Sequence, residues 1–124
     1  MMRRLLAGAC LAAAAMTVAV GCLSRPGPVS AQGAGTRYAV TLTIDGSDTA
    51  DIVVDRGEAE AVVVTATMPQ MGHITPEATA RRLAPGRFRA AGELFTMDGV
   101  WEVSVRVSGA AGEEVIPLTV LVTS

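Results

Sequence analysis

The chain has 124 residues, with 10 arginines, no lysine and 12 acidic residues, and its formal net charge is −2. By length it holds one folded domain. The acidic balance argues against a nucleic-acid-binding protein, because such proteins present a basic face to the phosphates.

The N-terminal residues have the pattern of a secretory signal peptide. Two arginines near the start are followed by an uncharged run over residues 5–20, and the small residues of Ala19-Val20-Gly21-Cys22 close it. This end resembles a bacterial lipobox, in which the cysteine is lipidated and becomes the mature N-terminus. The run is shorter than the ~20 residues that a spanning helix needs. We therefore predict that residues 1–21 are a lipoprotein signal peptide rather than an uncleaved membrane anchor.

Both cysteines belong to this N-terminal region. Cys10 would leave with the signal peptide and Cys22 would be acylated, so the mature domain would contain neither a disulfide nor a thiolate site. The residues after Cys22 are rich in Pro, Gly, Ser and Ala, so residues 22–35 are predicted to be the lipidated cysteine and a flexible tether. The folded domain is expected at 36–124. These features predict an extracytoplasmic, membrane-anchored lipoprotein, in the periplasm or on the outer cell surface.

The rest of the chain consists of short segments that predict β-strands. Apolar and polar residues alternate along Tyr38–Ile44 and Val100–Ser108, which is the period of a strand with one buried face. Further strands are predicted at 51–55, 61–68, 79–83, 88–94 and 115–122. Asp98-Gly99 predicts a two-residue hairpin turn, and Pro117 predicts that the last strand lies at a sheet edge. About seven strands with almost no helical periodicity predict an all-β, immunoglobulin-like antiparallel β-sandwich, with Trp101 between its sheets.

No arrangement of catalytic side chains is recognisable. His73 is the only histidine and therefore the only imidazole base, and the chain has no Gly-x-Ser-x-Gly elbow. The aspartates lack the spacing of a calcium loop and are interpreted as turn and edge residues: Asp45, Asp48, Asp51 and Asp55. We therefore predict that the protein is not an enzyme.

The side chains with soft metal-binding chemistry are concentrated in two short segments. Met68-Pro-Gln-Met-Gly-His73 holds the only histidine and two of the three methionines that follow the leader, and the third is Met97. Thioether sulfur and neutral imidazole are ligands that suit Cu(I). Pro69 ends the preceding strand, which puts Met71 and His73 in a loop.

The predicted hairpin decides how Met97 is interpreted. If Asp98-Gly99 is a two-residue turn, the side chain of Met97 points away from the core, where a methionine has no packing role. The sequence therefore predicts Met71, His73 and Met97 as Cu(I) ligands. Met68 continues the inward-facing set of its strand, so it is either a core residue, as methionine often is, or a fourth ligand.

Three segments of the chain resemble a known family. They are Met68–His73, Gly86–Arg89 and Phe95–Val103. In this order and spacing they are similar to the YtkA-like domains of the FixH group, and the resemblance spans about Tyr38 to Val107. Such domains are small immunoglobulin-like sandwiches outside the cytoplasmic membrane. FixH is associated with the assembly of copper-containing cbb3-type oxidases, and related domains accompany heavy-metal efflux adaptors, so the resemblance implies copper handling.

We therefore expect a domain, attached to the membrane through its lipidated N-terminus, that binds or hands over Cu(I) in oxidase copper supply or metal resistance. Its expected partner is an envelope protein such as a copper oxidase or an efflux component. The alternative is a metal-free interaction module whose Met68–His73 loop docks onto an envelope protein complex, because exposed methionines also suit adaptable protein surfaces.

Overall fold

The domain is built from two antiparallel β-sheets that pack face to face. The computed structural model describes residues 28–123. Its strands are β1 (Val29–Ala34), β2 (Ala39–Ile44), β3 (Thr49–Arg56), β4 (Ala61–Met68), β5 (His73–Ile74), β6 (Ala78–Thr79), β7 (Arg81–Ala84), β8 (Arg87–Ala91), β9 (Gly99–Gly109) and β10 (Gly112–Val122). One sheet has the order β1-β2-β3-β8-β7, and the other has the order β10-β9-β4-β5, with β6 also paired to β4. The predicted all-β sandwich is confirmed, with short strands in addition to the seven expected.

The core follows from the period-two pattern of the strands. Alternate residues of β2 and β9 are buried, and these residues are Val40, Leu42, Ile44, Trp101, Val103, Val105 and Val107. Full burial of such side chains contributes roughly 1.5–3 kcal/mol each relative to exposure, so the alternation decides which face of each strand turns inward. Trp101 is completely buried between the sheets, as predicted. β10 is an edge strand of its sheet, which agrees with the position of Pro117, because proline has no backbone N–H to donate and is tolerated where one side of the strand is unpaired.

The first strand lies inside the stretch predicted to be a flexible tether. β1 pairs with β2 from Val29 opposite Ile44 to Ala34 opposite Ala39, so the tether prediction is wrong for residues 29–34. Most side chains of β1 are small, and they alternate only between half-buried and exposed, so no apolar pattern marks this strand in the sequence. At Gly33 the missing side chain has a structural reason. A Cβ added at Gly33 would lie 2.6 Å from Cδ2 of Leu118.

No hairpin forms at Asp98-Gly99. β8 belongs to one sheet and β9 to the other, so residues 92–98 cross from sheet to sheet, and Gly99 pairs with Val122 of β10. Leu94 and Phe95 are buried along this crossing. Their burial draws the chain across the end of the core instead of continuing the strand, and the predicted two-residue turn is therefore wrong.

One end of the sandwich is closed by the carboxylate of Glu114. It accepts hydrogen bonds from the Thr36 hydroxyl at 2.8 Å and from the backbone amides of Thr36, Arg37 and Tyr38. These donors favour the ionised carboxylate, and the Thr36 hydroxyl has the largest effect, so the pKa of Glu114 is lowered to about 2. We call this end the Glu114 end.

Within residues 28–123, no helix has the length and apolar character that a membrane crossing requires. The predicted signal peptide and the lipidation site at Cys22 lie outside the described residues. Both stay predictions from the sequence.

Candidate functional site

The candidate ligands lie at the end of the sandwich opposite Glu114, which we call the Met/His end. β4 ends at Met68, and Pro69–Met71 form one turn of 3₁₀ helix. Gly72 then adopts the left-handed conformation, with φ 63° and ψ 23°, which glycine reaches without a steric penalty. This reversal returns the chain as β5, so that His73 lies directly opposite Met68. The sequence correctly predicts that the strand stops at the proline.

Met68 is part of the core. Only 3% of its surface is exposed, and it packs in the main buried cluster. Its neighbour Thr67 pairs with Glu102, so continuing the same register places Met68 opposite Trp101. Its methyl group also lies against Gly99, where an added Cβ would be 3.1 Å away. Of the two interpretations of Met68, the structure favours the core residue.

His73 is an exposed residue whose ring packs against the indole of Trp101. The two ring centroids are 6.0 Å apart and the rings meet edge to face, at 78°. Because directly opposite residues share a face in an antiparallel pair, His73 lies on the inner face at the edge of its sheet, beside Met68. The indole therefore orients an imidazole that is still open to solvent.

Met97 does not have the position that the sequence predicts for it. Its side chain is partly buried and packs against the core, and its backbone carbonyl accepts a hydrogen bond of 3.0 Å from Nε1 of Trp101. The crossing of residues 92–98 explains the difference, because it brings the backbone of Met97 next to the indole N–H instead of pairing it across a hairpin. A buried tryptophan usually finds an acceptor for its N–H, but nothing in the sequence identifies that acceptor.

Met71 is the most accessible of the three methionines. It lies on the 3₁₀ turn, and 65% of its surface is exposed. The structure thus gathers Met68, His73 and Met97 around Trp101 and leaves Met71 at the rim, two positions before His73 in the chain.

The described part of the chain contains no cluster of the nitrogen, oxygen and thiolate ligands from which most metal sites are built. Across residues 28–123, no group of three or more His, Cys, Asp or Glu side chains could hold a metal ion. Asp51 pairs with Arg89 at 2.7 Å, and Asp55 accepts a hydrogen bond of 2.6 Å from Thr41, so both carboxylates have structural partners.

Comparison with known proteins leaves the family open. No protein-family model matches the chain, and neither a curated protein nor a solved structure matches it. The similarity to YtkA-like domains of the FixH group therefore stays a prediction from the motifs at Met68–His73, Gly86–Arg89 and Phe95–Val103.

Proposed function

We propose that this protein is a lipid-anchored extracytoplasmic domain that binds Cu(I) at its Met/His end and hands it to an envelope partner. One observation carries the proposal. The only histidine is solvent-exposed, is oriented by the only tryptophan, and lies at the end of the sandwich that also holds Met68, Met71 and Met97. An exposed imidazole at the same end of the domain as three thioethers offers the kinds of donor that suit a soft cation.

The donors differ in accessibility, which suggests distinct roles. Met71 and His73 are exposed and would meet an incoming ion first, and the half-buried Met97 would be the third ligand. Met68 would support them from the core, opposite His73. Zinc prefers thiolate, imidazole and carboxylate, so thioethers offer it little. Acid should weaken the site, because a protonated imidazole cannot coordinate a metal.

The proposal is tested by titrating Cu(I) into protein that begins at residue 22 and carries Cys22→Ser, which removes a competing thiol. We expect one Cu(I) per chain, retained against a moderate chelator and preferred over Zn(II). Trp101 is the only tryptophan and touches His73, so its fluorescence should report binding directly.

Leucine variants identify the ligands. Met71→Leu and Met97→Leu remove the sulfur at nearly constant volume, so unfolding free energies should change by less than ~1.5 kcal/mol while Cu(I) affinity falls sharply. Ile74→Leu is the matched control, because Ile74 is exposed in the adjoining strand β5 and contributes no lone pair. The copper proposal is wrong if the parent protein loses Cu(I) to the chelator, or if the two methionine variants bind it as tightly as the parent does.

A metal-free docking module is the second candidate, and one observation favours it. Met71 on the 3₁₀ turn and Ile74 in β5 are three positions apart and each 65% exposed. Exposed apolar side chains of this kind are typical of interaction surfaces. In that case Met71→Asp and Ile74→Asp would each abolish the association with an envelope complex. His73→Ala, which removes the imidazole, would leave it intact.

A further inference from the structure

The chain enters the domain at the Met/His end. β1 begins at Val29, opposite Ile44. A cleft of about 560 Å³ at this end is lined by Pro28 and Val29 together with the turn after Ile44 and part of the crossing segment, including Phe95. β10 also finishes here, since Val122 pairs with Gly99. The predicted lipid anchor therefore connects to the end that carries the candidate ligands.

The connection is short because β1 occupies much of the predicted tether. Only five residues lie between Cys22 and Pro28, so six Cα–Cα steps join the two. A flexible segment of that length has an r.m.s. span of about 12–15 Å, and a fully extended one spans at most about 20 Å. β9 has 11 residues and runs from the Met/His end to the Glu114 end, about 35 Å at strand spacing. The linker is thus clearly shorter than the domain.

We propose that the Met/His end of the sandwich faces the lipid bilayer in the anchored protein. The inference rests on the lipid anchor of the proposed function, but it does not depend on copper. It has one consequence for metal transfer. Cu(I) would enter and leave the site on the membrane side, so its acceptor must reach the site at the bilayer surface.

The chemistry of this end indicates that the tether, rather than attraction to anionic lipid, sets the orientation. Exposed apolar side chains are present at Met71, Ile74 and Leu121. The turn and loops around them contain acidic residues and no arginine, and these acidic residues are Asp45, Asp48, Glu93 and Asp98. Carboxylates repel anionic headgroups, whereas they favour the approach of a cation such as Cu(I).

Two residues of β10 provide a matched test of the orientation. Leu121 and Val115 lie on the same outward face of this strand, and their exposed fractions are 57% and 55%. They are six positions, or about 20 Å, apart along the strand. They therefore differ mainly in distance from the Met/His end.

The experiment uses the chain from Cys22 onward, coupled through its single thiol to a maleimide lipid in phosphatidylcholine vesicles. Hydroxyl-radical oxidation is measured by mass spectrometry for the tethered and the free protein. We expect tethering to reduce oxidation at Leu121 and Met71 and to leave Val115 unchanged. Inserting about 20 Gly/Ser residues after Gly27 raises the r.m.s. span to about 25–30 Å and should remove most of this protection.

Two results would overturn the proposal. Equal protection of Val115 and Leu121 would mean that the domain lies flat on the bilayer, and an absence of protection at Leu121 would mean that it does not face the bilayer with this end. Neither result depends on copper binding or on lipidation in the cell. A failed Cu(I) titration and a failed orientation test are therefore distinguishable.

Discussion

Replacing Trp101 by alanine should lower the free energy of unfolding by about 3–5 kcal/mol, the range for large-to-small changes of a buried aromatic residue. The indole is fully buried and packs edge to face against Phe95, with ring centroids 5.7 Å apart, and against His73. Aromatic pairs of this kind add about 0.5–1.5 kcal/mol each beyond area burial. We therefore expect the upper part of the range, which is a large share of the ~5–15 kcal/mol that a domain has in total.

A second variant separates the packing from the hydrogen bond. Trp101→Phe keeps an aromatic ring but leaves the Met97 carbonyl without the indole N–H, and a buried acceptor that loses its partner costs about 1–3 kcal/mol. Its effect should therefore lie clearly below that of Trp101→Ala. Val115→Ala is the control, because exposed substitutions of this type usually stay within about 0.5 kcal/mol.

The assay is urea unfolding followed by far-ultraviolet circular dichroism, because both Trp101 variants lose the fluorescent probe. The slope of the unfolding free energy against urea should stay constant, so that the midpoint reports stability. A change of less than about 1 kcal/mol in Trp101→Ala, which is ordinary for surface sites, would show that the indole does not hold the two sheets together. The arrangement of His73 and Met97 around it would then have no structural basis.

Three further predictions concern Glu114, Gly99 and Cys22. Glu114→Gln should be less stable than the parent protein at neutral pH. The lowered pKa of Glu114 stabilises the fold fully above the usual carboxyl value of 4.5, and this stabilisation is lost as the pH falls towards about 2. The difference in unfolding free energy between the two proteins should therefore narrow over that interval, and a difference that stays constant in acid unfolding curves would contradict the account. Gly99→Ala should cost about 1–3 kcal/mol, because Gly99 has φ 140° and faces Met68. Gly92→Ala is the control, because Gly92 has a similar φ of 136° but an added Cβ would meet no atom within 4 Å. Gly99→Ala should therefore melt at a lower temperature than Gly92→Ala, because only its Cβ crowds Met68. Equal melting temperatures would show that this contact has no effect on stability. Cys22→Ser should abolish fatty-acid labelling and maturation, and labelling that persists would remove the lipoprotein prediction.

The alternation of apolar and polar residues is sufficient to predict a strand and its buried face wherever burial depends only on that strand. β4 is predicted at 61–68 and observed at Ala61–Met68, because period-two alternation defines an inner face whichever strand lies beside it. The same holds for the inner face of β9, with Trp101 in the core. Pro117 indicates an edge strand because its missing N–H limits pairing to one side.

The errors occur where a local signal competes with distant contacts. Asp98-Gly99 has the composition of a hairpin turn, but Leu94 and Phe95 are buried between sheets that the sequence cannot yet position. β1 has no apolar pattern, and at one of its positions, Gly33, the approach of Leu118 leaves no room for a side chain.

For the candidate site, the sequence by itself identified the chemistry: thioethers and one imidazole in a proline-terminated loop, in a chain without a thiol after Cys22. Only the tertiary structure decided their arrangement. It buried Met68, set His73 against Trp101, turned the Met97 carbonyl towards the indole, and brought the start of β1 to the same end. These relations join residues that are far apart in the chain, so they depend on which strands pair and on where the chain crosses between sheets, and no local periodicity encodes either.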